Sequence, residues 1–103
     1  MLADDLNLCV VSVASVWEIA IKSSQNRGLP VGVTAAYFCD LVAEAGFDLQ
    51  DVSRSYAEGI ETLSATHGDP FDRLLVSHAR IESLTLLTHD KILGQYGDFV
   101  MVV

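Results

Sequence analysis

The sequence predicts an α/β domain built on a mainly parallel sheet. Three observations carry that expectation. Two short apolar runs, Leu8–Ser12 and Leu84–Thr88, have the length and continuity of strands buried on both faces. Amphipathic helices with recognisable caps separate the strands. Length and composition then place everything in one domain. The chain has 103 residues, half of them hydrophobic, which suffices for a single core without disulfides or a structural metal. A mean hydropathy of +0.36 excludes a disordered chain.

The elements follow in order. Leu8–Ser12 is a strand of β-branched character. Ser12 or Ser15 caps a helix to about Ser24. Its apolar face holds Val13, Val16, Trp17, Ala20 and Ile21, which puts Trp17 in the core and Glu18 beside Lys22, four residues on. Asn26–Pro30 stops that helix with a Gly and a Pro. Thr34 starts a second helix, with Tyr37, Phe38, Leu41, Val42 and Ala45 as its stripe and Gly46 as its end. Phe47–Val52 alternates apolar and polar residues, the pattern of a strand with one wet face. Ser53 opens a helix to about Ala65, with Tyr56, Ile60 and Leu63 inward, and Thr66–Gly68 is a loop. Asp69 precedes Pro70, the favoured residue at a first helical position. That helix runs to about Ser83, with Phe71, Leu74, Leu75, His78 and Ala79 inward. Leu84–Thr88 is a buried strand, Asp90–Tyr96 a short helix or turn, and Phe99–Val103 the last strand.

Charge and patterning exclude several classes. Fourteen acidic against six basic side chains give −8, and Lys22, Arg27, Arg54, Arg73, Arg80 and Lys91 are scattered. Non-specific DNA binding needs clustered cations and is disfavoured. The longest apolar stretch, Leu8–Trp17, is broken by Ser12 and Ser15 and is far short of the roughly 20 residues that span a bilayer. Asp4 and Asp5 stand where a signal peptide would be basic. Cys9 and Cys39 are isolated and read as reduced core residues. The expected location is the cytoplasm.

Open parallel sheets bind ligands beyond the carboxyl ends of their strands. Three acids fall there: Glu18 in the helix after Leu8–Ser12, Asp72 in the first turn of the helix that feeds Leu84–Thr88, and Asp90 just after that strand. Clustered carboxylates need a positive partner. Mg²⁺ or Mn²⁺ suits oxygen ligands, activates water and stabilises the leaving oxygen of a phosphodiester. If the three converge on one ion about 2.1 Å from each ligand, their oxygens should lie roughly 4–6 Å apart.

Three segments also carry a resemblance: Ser15-Val-Trp-Glu-Ile-Ala-Ile-Lys22, His67-Gly-Asp-Pro-Phe-Asp-Arg-Leu-Leu-Val76 and Leu86-Leu-Thr-His-Asp90. In order and spacing they resemble the successive signatures of the PIN domain, and more closely the VapC-type toxins of bacterial toxin–antitoxin pairs. The resemblance covers almost the whole chain. It implies a three-layer α/β/α fold and a Mg²⁺-dependent endoribonuclease of a type II toxin–antitoxin system, silenced by a cognate antitoxin. It makes Glu18, Asp72 and Asp90 the catalytic metal ligands. Asp69, Thr88 and Arg73 become helpers, Thr88 by orienting the Asp90 side. Family members open with a strand ending in an Asp, in the middle of the sheet, and this chain has no such segment. On that reading the domain lacks its first strand, about one βα unit on the order of 30 residues. The missing acid weakens metal binding.

Each residue has a plainer alternative. Asp69 is then a helix cap, Asp72 a first-turn acid satisfying the dipole, Glu18 the partner of Lys22, and Asp90 a turn residue. Arg73 contacts RNA phosphate or pairs with an acid. His67, His78 and His89 recur every 11 residues but do not form a metal trio, because a loop and a strand interrupt them. His78 is a buried, hydrogen-bonded core residue; His67 and His89 lie near the acids, with phosphate contact as their second reading.

Two functions from different classes remain. One is the ribonuclease toxin, whose acidic surface suits an arginine-bearing antitoxin segment that replaces the metal's charge. The other is an inactive PIN-like interaction module that binds an antitoxin or itself. A phosphoacceptor domain fits less well, since Lys91 is poorly placed for it. A sheet without its central strand exposes backbone groups. Either its two flanking strands close on each other or a second chain fills the gap, and the expectation is association, with a homodimer as the assembly.

Overall fold

The computed structural model describes residues 2–3, 9–64 and 68–103. Leu8, expected to open a strand, and Ala65, Thr66 and His67, expected to end a helix and form a loop, lie outside the described residues. The elements are β1 (Leu2–Ala3), β2 (Cys9–Ser12), α1 (Val13–Ser24), α2 (Ala35–Glu44), β3 (Asp48–Gln50), α3 (Arg54–Gly59), α4 (Pro70–Ile81), β4 (Thr85–Thr88) and β5 (Val100–Val102). Two 3₁₀ turns, Ile60–Thr62 and Lys91–Tyr96, follow α3 and β4.

The strands form one sheet in the order β3-β2-β1-β4-β5. Four of the five strands run the same way, as expected of a mainly parallel sheet, and β1 alone runs against them, so the sheet is mixed. β2 pairs parallel with β3, and β4 with β5, while β1 is antiparallel to both β2 and β4. The gap expected in the middle is closed by this chain's own β1. Direct pairing of β2 with β4, or insertion of another chain, is therefore not what fills it. Leu2 lies opposite Val10 and Leu86, and Ala3 opposite Cys9 and Thr85. β1 is short, so Val11–Ser12 and Leu87–Thr88 extend beyond those pairs at the carboxyl ends of β2 and β4.

The helices form where their caps allow. Ser12 Oγ accepts from Ala14 N–H at 3.1 Å and opens α1. Thr34 Oγ1 accepts from Tyr37 N–H at 3.1 Å and opens α2. Gly46, at φ +77°, takes the left-handed conformation that lets the chain leave α2 and enter β3. Asp69 Oδ1 accepts from the N–H groups of Phe71 and Asp72, with Pro70 at the first helical position of α4. The helix expected over Ser53–Ala65 is only six residues of α3 before it tightens to 3₁₀. Gly59 is the reason that α3 can lie close to α4. A Cβ there would stand 2.5 Å from Ser77 Oγ and 3.0 Å from Ile81 Cδ1.

Alternation along β2 sends Val10 and Ser12 toward α4 and Val11 toward α2. The main core is Val10, Val76, Ala79, Leu84, Leu86, Leu93 and Val100. A second cluster, Ala14, Tyr56 and Leu74, joins α1, α3 and α4. The face assigned to α1 needs correction. Ala14 is its buried residue, whereas Trp17 is 53% exposed and not core. Tyr37 and Leu41 of the α2 stripe are exposed as well, and Cys39 is half-buried rather than core.

Candidate functional site

β1 is antiparallel to both β2 and β4, so β2 and β4 point the same way and their carboxyl ends share one edge of the sheet. Glu18 lies in the second turn of α1, which leaves β2 without a loop. Asp90 comes two residues after β4. α4 turns into β4 through only Glu82–Leu84, so its first turn, with Asp72, returns to the same edge. The rings of Trp17 and Phe71 meet edge-on, centroids 4.6 Å apart at 61°. That contact holds the turn of α1 bearing Glu18 against the first turn of α4 bearing Asp72. The sequence-predicted acids therefore share an edge.

Their surroundings differ. Glu18 Oε1 accepts from Lys22 Nζ at 3.0 Å, an i,i+4 pair partly open to water. Asp69 is a helix cap and exposed. Asp72 is half-buried and donates its own N–H to that cap at 3.2 Å. Asp90 Oδ1 accepts from Ile92 N–H at 3.0 Å, and Asp90 N–H donates to Thr88 Oγ1 at 3.1 Å. Thr88 thus orients the start of the Asp90 turn. Arg73 donates to the carbonyls of Ser64 (2.8 Å) and Ile60 (3.2 Å) and to Tyr96 OH (3.3 Å), pinning the turn after α3 to α4. His89 is exposed, with Nδ1 3.1 Å from the Val103 carbonyl oxygen.

Among the described residues, no three His, Cys, Asp or Glu side chains are placed to hold a metal ion. Glu18, Asp72 and Asp90 share an edge but do not form a metal-holding group. Two of them already accept hydrogen bonds from neighbours on their own segments. As placed, the described residues do not assemble a ligand set for Mg²⁺ or Mn²⁺. A cavity of about 420 Å³ lies elsewhere, between α1, α2 and β2. Val11, Phe38, Leu41, Val42 and Phe47 line it, with Ser15 as a polar group at its wall.

Behind the edge sits a polar cluster that sequence reasoning found only in part. His78 is buried and hydrogen-bonded, as its place on the apolar face of α4 predicts. Its Nδ1 lies 3.1 Å from Ser12 Oγ and its Nε2 2.9 Å from Gln50 Oε1. Tyr56 stacks on the ring at 4.1 Å and 18°, and its hydroxyl donates to Glu82 Oε1 at 2.7 Å. Burial lowers the His78 pKa, partly countered by the negative charge of Glu82. Burial raises that of Tyr56, and Glu82 raises it further by hydrogen bond and charge, while Ser53 lowers it. No spacing in the sequence links Gln50 to His78; only the pairing of β3 beside β2 does.

Comparison of the chain with protein-family models, with curated proteins and with solved structures found no match. Among the described residues, no helix is long and apolar enough to cross a membrane.

Proposed function

We propose that this chain is a PIN-like domain of the VapC type, a three-layer α/β/α relative of the metal-dependent endoribonuclease toxins of type II toxin–antitoxin systems, acting in the cytoplasm. The observation that carries this reading is the shared edge. Glu18, Asp72 and Asp90 all stand where β2 and β4 end, on the strand order β3-β2-β1-β4-β5. That placement agrees with the three-motif resemblance. The activity of the class is hydrolysis of RNA phosphodiesters, with Mg²⁺ or Mn²⁺ as the metal and single-stranded RNA as the substrate.

A specific observation favours a second reading for these 103 residues alone. Among the described residues, the three acids do not form a metal-holding group. As it stands, the chain fits the non-cleaving module, which pairs with an antitoxin or with a second copy as a homodimer. Charge supports a basic partner. The surface is strongly acidic, while Lys22 and Arg54 pair with Glu18 and Glu58, and Arg73 and Arg80 bond backbone and hydroxyl oxygens.

Purified protein incubated with single-stranded RNA decides between the two. Cleavage that needs Mg²⁺ or Mn²⁺, stops with a chelator and is lost in Asp72→Asn establishes the nuclease. No cleavage, together with saturable binding of an arginine-bearing peptide, establishes the module. Cleavage undiminished in Asp72→Asn ends the assignment of Asp72 as a ligand.

A further inference from the structure

The imidazole of His78 is where four elements meet. It is fully buried at 0% exposure, and Ser12 is 1% exposed. Ser12 and Gln50 are register partners at the carboxyl ends of β2 and β3. His78 therefore bonds two adjacent strands from α4, while Tyr56 of α3 covers its face. Ser12 Oγ has a second duty, since it accepts from Ala14 N–H and so caps α1.

In its uncharged form the ring fits this network in one tautomer. Gln50 Oε1 can only accept, so Nε2 carries the proton. Nδ1 then accepts from the Ser12 hydroxyl, whose oxygen stays turned to Ala14 N–H. Every member is satisfied, and among the described residues no buried side-chain nitrogen or oxygen lacks a partner. A second proton, on Nδ1, reverses one bond. Nδ1–H must donate to Ser12 Oγ, and the hydroxyl proton must leave the ring and find another acceptor in a site closed to water.

We propose that His78 is a proton-operated latch: uncharged, it clamps α4 to the ends of β2 and β3 and keeps Ser12 on the cap of α1; charged, it releases both. The groups around the ring leave the uncharged form favoured. Ser12 from β2 and Gln50 from β3 are neutral, and Tyr56 from α3 faces the ring as a phenol. Among the described residues, Glu82, at the end of α4 itself, is the charge that acts on the ring, and burial outweighs it. α1 carries Glu18 and α4 carries Asp72, so opening the latch frees the two helices that set the acidic edge.

The sign follows from linkage. The folded His78 pKa lies below the ordinary value of about 6.5. The latch is whole above that value, and its contribution is lost as pH falls from there toward the folded pKa.

The test uses the full chain, labelled with ¹⁵N. Long-range imidazole spectra should show the Nε2–H tautomer of His78 at about pH 7.5, and protonation at a pH below the ordinary histidine value. As the ring charges, protection of the Ala14 amide against hydrogen exchange should fall about 10-fold or more after correction for intrinsic rates, while amides in α2 hold theirs. In His78→Gln the Ala14 amide should be equally protected at pH values on either side of the wild-type His78 titration. A ring that titrates at the ordinary value, or an Ala14 amide that stays protected while the ring charges, overturns the proposal. So does a His78→Gln variant with the wild-type pH dependence. If that variant does not fold, the wild-type titration and the Ala14 amide decide alone.

Discussion

Asp69 and Asp72 sit three residues apart on one helix, yet their carboxylates have different work. Asp69 accepts two backbone N–H groups at the start of α4 and is exposed. Asp69→Ala should therefore cost about 1 kcal/mol of stability, the value of an N-cap, read as a shifted urea midpoint. Asp72→Asn keeps the shape and should abolish any metal-dependent RNA cleavage, read with the folded variant. Glu18 and Lys22 are partly exposed, so Lys22→Ala should shift stability by no more than about 0.5 kcal/mol. The residue scale is also where periodicity misleads. The stripe through Val13, Val16 and Trp17 assumes one buried side for α1. The helix packs against both α2 and α4, and small Ala14 is the residue driven inside. Trp17 is left half in water, with an edge-on contact to Phe71.

Elements are set by close approaches that composition does not announce. Gly59→Ala would ordinarily favour a helix by up to about 1 kcal/mol. Here the new methyl would meet a Ser77 hydroxyl held at 2.6 Å by the Tyr56 carbonyl. The clash decides the sign, and the substitution should destabilise the protein by about 1–3 kcal/mol, the usual cost of overpacking. β1 gives a second test. It lies between two partners, so proline within it removes a ladder donor or distorts the pairing. Ala3→Pro should lower the unfolding midpoint and raise light scattering, as backbone groups of β2 and β4 lose their cover. The helix caps and the buried strands were legible because each depends on neighbours within a few residues, as with Thr34, Asp69–Pro70 and Leu84–Thr88. β1 was not, because two residues, Leu2 and Ala3, show no period. Its place comes only from the two strands that receive it. The candidate edge was legible for the same local reason, since Glu18 and Asp90 follow strand ends directly. Whether three carboxylates come close enough to share an ion depends on side-chain geometry that no spacing encodes.

At the scale of the whole molecule, net charge separates the two kinds of partner. Each copy carries −8, so two copies repel one another through water. An interface between copies would have to draw on apolar surface, and Tyr37, Leu41, Leu49 and Met101 are exposed. Salt shortens the range of the repulsion from about 10 Å at 0.1 M to about 3 Å at 1 M and leaves hydrophobic burial intact. Self-association should therefore tighten as salt rises, with the weight-average mass from sedimentation moving toward a dimer. A basic peptide bound to the acidic edge behaves in the opposite way, because its attraction is the term that salt removes. Its affinity should fall over the same range. Both trends can be measured on one preparation, with sedimentation for the protein alone and fluorescence of Trp17, the single tryptophan, for the peptide. Self-association that weakens with salt would contradict an apolar interface between copies. Peptide affinity that does not fall would contradict recognition by the carboxylates of the edge.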